Sequence, residues 1–152
     1  MLTVRRLALA LVALCFISPV HAQNGGSAAE QQLFASVNRE RRVRGLPPLR
    51  WSEPLATAAR RHAGLMANRG EAEHGFAGEP SLPARVTQAG ARFVSLAENV
   101  AQGPGVEVIQ SEFLRSANHR ANILDTDMDS LGVGVVERGG QLFAVEDFSK
   151  AK

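Results

Sequence analysis

An α+β domain, with helices covering a small antiparallel sheet, is predicted by three features of this sequence. Apolar residues recur at helical spacing in three separate stretches. A strand-like segment stands between the second and third of them, and the chain ends in a hairpin turned by two glycines. The predicted order of main elements is helix, helix, strand, helix, strand, strand. Strands adjoining in sequence beside segregated helices suit a layered α+β domain.

The first 22 residues stand apart. Arg5 and Arg6 precede an apolar run from Leu7 to Ile17, and Val20-His21-Ala22 comes before Gln23. That layout is a secretory signal peptide, with cleavage expected after Ala22, and the run is too short for a spanning anchor. Leu14 before Cys15 makes a poor lipid-attachment signal, so no lipid anchor is expected. Export implies a periplasmic or extracellular location. Residues 23–30 are expected to form a flexible lead-in to one domain over 31–149.

Leu33, Phe34 and Val37 recur at helical spacing and Gly45 follows, which predicts a helix over 28–44. Two prolines in "GLPPLRW" predict an extended connector. Ser52 suits an N-cap, with Pro54 in the first turn. Leu55, Ala58, Ala59, His62, Ala63 and Met66 then form one stripe, predicting a helix over 53–69 that Gly70 ends. A loop and a short helix over 83–89 follow. "ARFVSLAENVAQ" alternates like a strand, with Val94, Leu96, Glu98 and Val100 on one side and Phe93, Ser95, Ala97 and Asn99 on the other. Val106, Ile109 and Phe113 predict a third main helix over 105–117. "SLGVGVVERGGQLFAVEDF" predicts a hairpin turning near Gly139-Gly140. Leu131, Val133 and Val135 share one side of its first strand, and Gly132 and Gly134 leave room for close packing on the other.

Charge and cysteine content narrow the function classes. The whole chain has a formal charge of +2, and losing Arg5 and Arg6 leaves the domain near neutrality. Its basic isoelectric point therefore gives no reason to expect nucleic acid. The one cysteine, Cys15, lies in the leader. An exported domain without disulfides must rely on its core, and 130 residues suffice for that.

Glu98 is the first anomaly, because it shares its side of the strand with Leu96 and Val100. An ionised carboxylate buried there needs a cation or donor; alternatively the strand ends at Ala97 and Glu98 meets water. His62 lies on the apolar stripe of the second helix, where a satisfied core histidine is expected. His74 sits in a loop, which favours a site. Ser116 and His119 would share a face if the helix continued. HExxH, GxSxG and Walker motifs are all missing, and no catalytic residue is assigned. His74, Glu98 and His119 have the chemistry of a two-histidine, one-carboxylate zinc site, although only the fold can bring them together.

These residues also carry a resemblance. "N-x-x-R" at Asn38 and Arg41, "GLPPL", the "L..AA..HA..MA" helix, "AENVA", "FLRSANHRANIL" and "LGVGVV" occur in the order and spacing of the CAP superfamily, which contains cysteine-rich secretory proteins, antigen 5 and pathogenesis-related proteins. The sequence resembles a bacterial member over about Leu33 to Phe148. The resemblance implies an α-β-α sandwich with a groove, in which His74, Glu98 and His119 match the family's groove residues. It further implies a binding role toward a small ligand, lipid, sterol or cell-wall glycan, or alternatively a zinc-dependent, hydrolase-like activity at the same residues. Ser116 falls where animal members carry a second acidic residue, which weakens a four-ligand cage. Ala97 replaces a glycine, Phe113 a tryptophan, and Gly75 follows His74 in place of Ser or Thr. Asn38, Arg41, Asn99, Arg120 and Asn122 are expected to serve structure by bonding backbone.

Overall fold

The computed structural model describes residues 26–152, so the leader expected over 1–22 lies outside the described residues. Ser27 and Glu30 close a reciprocal capping box: the Ser27 N–H donates to Glu30 Oε2 at 2.8 Å, and the Glu30 N–H donates to the Ser27 hydroxyl. Helix α1, Ala28–Val43, therefore begins inside the expected lead-in. Glu30 is itself buried, and Arg60 holds it bidentately at 2.9 and 3.0 Å. Residues 28–30 are thus part of the packed domain, because this carboxylate needs its partners.

The connector ends in a short strand, β1, Arg50–Trp51, which pairs parallel with β3, Ser130–Arg138. The sheet is therefore mixed and not wholly antiparallel. Helix α2 spans Glu53–Arg69. Ser52 precedes it, but its hydroxyl makes no cap bond; its N–H instead extends the pairing to the Leu131 carbonyl at 2.9 Å. Helix α3, Leu82–Gln88, and strand β2, Phe93–Gly103, lie where the sequence predicts them. The third main helix, α4, Val106–Arg115, lies within its predicted span, and after Ser116, whose backbone is extended, comes a further helix that the sequence did not predict, α5, Ala117–Leu124. Strand β4, Gln141–Ala151, completes the hairpin, and Gly139 and Gly140 both take the positive φ of a tight primed turn.

Strand order is β1-β3-β4-β2, with β3–β4 and β4–β2 antiparallel. One face packs Leu131, Val133, Ala144 and Phe148 against Leu33 and Val37 of α1, Ile109 and Phe113 of α4, and Ile123 of α5. The other face packs Val100, Phe143 and Val145 against Ala59, Ala63 and Met66 of α2. Leu55 and Ala58 of α2 meet Val86 of α3 on that side too. The result is the α-β-α sandwich. No helix among the described residues is long and apolar enough to cross a membrane.

Asn38, Arg41 and Arg120 all bond backbone groups. The Asn38 amide donates to the Leu49 carbonyl at 3.1 Å and accepts its N–H at 2.7 Å. Buried Arg41 donates to the carbonyls of Pro47, Ile123 and Asp125 at 2.8–2.9 Å, tying α1 to the end of α5. Arg120 donates to the Leu114 carbonyl at 2.9 Å.

Two glycines set how closely α2 lies on β3. A Cβ on Gly132 would stand 2.1 Å from the Ala56 nitrogen, and one on Gly134 would stand 2.3 Å from the Ala59 carbonyl carbon. The obstacle is helix backbone, which cannot rotate away. Gly134→Ala is therefore expected to lower unfolding free energy by about 3 kcal/mol or more, the upper range for overpacking, measured by urea denaturation. A loss under about 1 kcal/mol would show that α2 can shift freely. Arg41→Met should cost about 2–3 kcal/mol by leaving several carbonyls unsatisfied, read in the same assay.

Candidate functional site

Strand β2 carries adjacent polar residues, Glu98 and Asn99, whose side chains go to opposite faces of the sheet. Each sits opposite an acidic residue of β4: Glu98 faces Asp147, and Asn99 faces Glu146. All four are buried. The middle of an otherwise apolar sheet thus contains two polar rungs.

On the α2–α3 face, both oxygens of Glu98 are engaged. One oxygen accepts from Arg85 of α3, itself buried, and the other accepts from His74 Nδ1 at 3.0 Å. Asp147 lies beneath this pair. Burial first, then the Glu98 charge, raises its carboxyl well above the ordinary carboxylate range, against the pull of Arg85. A protonated Asp147 can donate to Glu98. His74, by contrast, is open: its side chain is 60 % exposed, while Glu98 is 4 % exposed.

On the α5 face, Asn99 Nδ2 donates to Glu146 Oε2 at 3.0 Å and to the His119 carbonyl at 3.2 Å. Asn122 of α5 donates to Asn99 Oδ1 at 2.9 Å and to the Glu98 carbonyl at 3.3 Å. These bonds hold α5 against the edge strand β2. Burial pushes the Glu146 carboxyl up to about 8, with the Asn99 amide opposing the shift. The His119 ring stands edge-on to Phe113, 5.1 Å between centroids. Burial, and secondarily the proximity of His74, lowers its pKa, so His119 is neutral at pH 7.

The sequence model of the cysteine-rich secretory protein family, CAP, matches residues 34–148. This chain belongs to the CAP family. It is 30% identical over 119 residues to the uncharacterized protein YkwD of Bacillus subtilis, covering 78% of this chain and 46% of that one. An extracellular protein from Bacillus anthracis containing an SCP domain is 29% identical, with a TM-score of 0.73, over 80% of this chain and 40% of that one. An outer surface protein of Borrelia burgdorferi shares the fold at 20% identity, with a TM-score of 0.75, over 82% of this chain and 93% of that one. The chain thus spans less than half the length of its curated Bacillus relative.

Within this CAP domain, the alternative in which β2 ends before Glu98 is excluded, because β2 continues to Gly103. His74 and Glu98 are brought into contact, and His119 approaches from α5. Ser116 plays a different part: as N-cap of α5, its hydroxyl accepts the His119 backbone N–H, and among the described residues no bond joins that hydroxyl to the imidazole. Asn122 lies within α5 and not in a turn after a helix. His62 is a core residue, fully buried, with Nδ1 2.7 Å from Glu79 Oε1.

The zinc set implied by the resemblance does not fit this arrangement. Both Glu98 oxygens are engaged, by Arg85 and by His74. Among the described residues no three His, Cys, Asp or Glu side chains are disposed to hold a metal ion. Glu98 here orients a histidine in the way a carboxylate supports a ligand from behind. Arg85, Asp147 and Glu146 were not singled out in the sequence. The available signal was "AVEDF", two acidic residues inside an apolar strand.

Glu146 gives the domain a pH dependence with a defined sign. Its pKa is raised on folding, so its contribution is fully present below the unfolded value of about 4.3 and is lost as pH rises toward about 8. His119 has a lowered pKa and acts oppositely, but its influence ends above about pH 6.5. Between about pH 6.5 and 8, wild-type stability should therefore fall with pH, by up to about 1.4 kcal/mol per unit from Glu146. Calorimetry on Glu146→Gln should give a shallower slope, with the remainder due to Asp147. An identical slope in the two proteins would remove Glu146 as the cause.

Proposed function

We propose that this chain is an exported CAP-domain binding module whose groove, formed by His74, Glu98 and His119, takes a small ligand rich in hydroxyl groups, such as a cell-wall glycan or a polar lipid headgroup. The observation that carries this reading is the His74–Glu98 bond. A buried carboxylate fixes a largely exposed imidazole by its Nδ1–H, which leaves the Nε2 lone pair free to accept a proton from a ligand. Neutral His119 offers a second lone pair nearby. Imidazole lone pairs accept hydrogen bonds from hydroxyls without requiring an anion.

Export is supported by the charged, apolar and small-residue layout of residues 1–22 and by the extracellular protein among the similar structures. The zinc-dependent, hydrolase-like alternative with Glu98 as a direct ligand requires Glu98 to release Arg85 or His74.

The test is calorimetric titration of N-acetylated glycan fragments and, separately, of lipid vesicles into wild type and His74→Ala. Loss of one good hydrogen bond, about 1.4 kcal/mol, should weaken binding about tenfold in the variant. Equal affinities in the two proteins, or no binding by either to the whole panel, would count against the groove. Zinc held tightly by wild type and lost on His74→Ala plus His119→Ala would instead favour the hydrolase-like alternative.

A further inference from the structure

Three backbone groups flanking His74 are held by side chains, two from the helices on either side of its loop and one from Glu79, later in the same loop. The Glu73 carbonyl accepts from His62 Nε2 at 2.8 Å. The His74 carbonyl accepts from Arg85 at 3.3 Å. The Phe76 N–H donates to Glu79 Oε2 at 3.2 Å. The three side chains are themselves joined: His62 Nδ1 and Arg85 approach the same Glu79 oxygen, at 2.7 and 3.5 Å. All of them are buried, whereas the His74 imidazole is mostly in water.

That contrast decides what positions His74. An exposed ring has few packing contacts to orient it, and Gly75 beside it adds freedom to the chain. Its bond to Glu98 forms only if the backbone delivers the ring to the right place. Glu98 is fixed by its strand and by Arg85. The variable partner is the loop, and the loop is tied to helix α2 at residue 73 by one bond from His62. A carbonyl only accepts, so His62 Nε2 carries a proton.

We infer that His62 is a positioning residue for the groove: its Nε2–H bond to the Glu73 carbonyl sets the backbone from which His74 reaches Glu98, and so fixes which His74 nitrogen faces a ligand. The inference rests on the reading of His74 as a groove residue, yet it concerns the ring itself in the absence of ligand. Without that bond the loop is free to shift, His74 Nδ1 loses Glu98, and the ring proton can move to Nε2. The groove then offers a donor where it had offered a lone pair.

The two bonds of His62 can be separated. His62→Gln places its amide near the former Nε2 and keeps a donor for the Glu73 carbonyl. His62→Asn places its amide near the former Nδ1 and keeps only the Glu79 side. The readout is the pair of His74 ring nitrogen resonances, measured by long-range proton–nitrogen correlation at about pH 8, where imidazoles are neutral. Wild type and His62→Gln are expected to carry the proton on Nδ1, and His62→Asn to show a several-fold rise in the Nε2–H form. A general loss of stability would not sort the two variants in this way. Wild type with its proton on Nε2, or two folded variants with the same His74 tautomer, would overturn the inference. If His62→Asn does not fold, the buried wild-type Hε2 of His62 decides: it must exchange slowly and lie close to the Glu73–His74 backbone, and a fast-exchanging proton refutes the bond. Absence of ligand binding with the His74 tautomer as expected would defeat the proposed function and leave this inference standing.

Discussion

A carboxylate placed inside an apolar sheet must be compensated, and in this domain Glu98 sets much of the surrounding arrangement. Desolvating an isolated ion costs several kcal/mol even after relaxation. The compensation comes from Arg85, which draws α3 down onto β2 and is itself buried by doing so. Arg85 in turn reaches Glu79 and the His74 carbonyl. The segment between α2 and α3 has no regular structure of its own, and this chain of charge-assisted bonds substitutes for it. Such bonds are shorter and stronger than neutral ones, which suits them to holding an irregular segment.

The second rung, Asn99 with Glu146, does comparable work on the opposite face without a net charge. Glu146 keeps its proton at neutral pH, so the rung is a neutral hydrogen-bonded pair that needs no cation. The sheet therefore presents a charged rung to α3 and a neutral one to α5. Adjacent residues of one strand serve the two faces because side chains alternate. Glu98 and Asn99 together bring the His74 loop and the His119 helix to the same edge of the sheet.

Much of this was legible in the sequence, and the exceptions have physical reasons. The stripes of α1 and α2, the Gly139-Gly140 turn and the small side of β3 at Gly132 and Gly134 are local patterns, and they survive intact. Burial of Glu98 could be suspected from alternation alone. Strand β1 could not be seen, because two residues have no period and its pairing with β3 is decided by the fold. Helix α5 was not seen because Ser116 separates it from α4 with neither glycine nor proline; an extended serine caps the next helix. Arg85 and Asp147 become relevant only through register and packing, since nothing near them in sequence predicts that they meet Glu98.

Asn122 ties the surroundings of His119 to a different property of the molecule. Strand β2 is eleven residues long and lies at the end of the sheet, and such an edge can template the addition of another chain. The amide of Asn122 occupies the Glu98 carbonyl at the middle of that edge, and α5 lies alongside. The helix that carries His119 therefore also covers the middle of that edge. The same eight residues carry His119 and cover this stretch of the edge, so changes made there to alter one will be felt in the other.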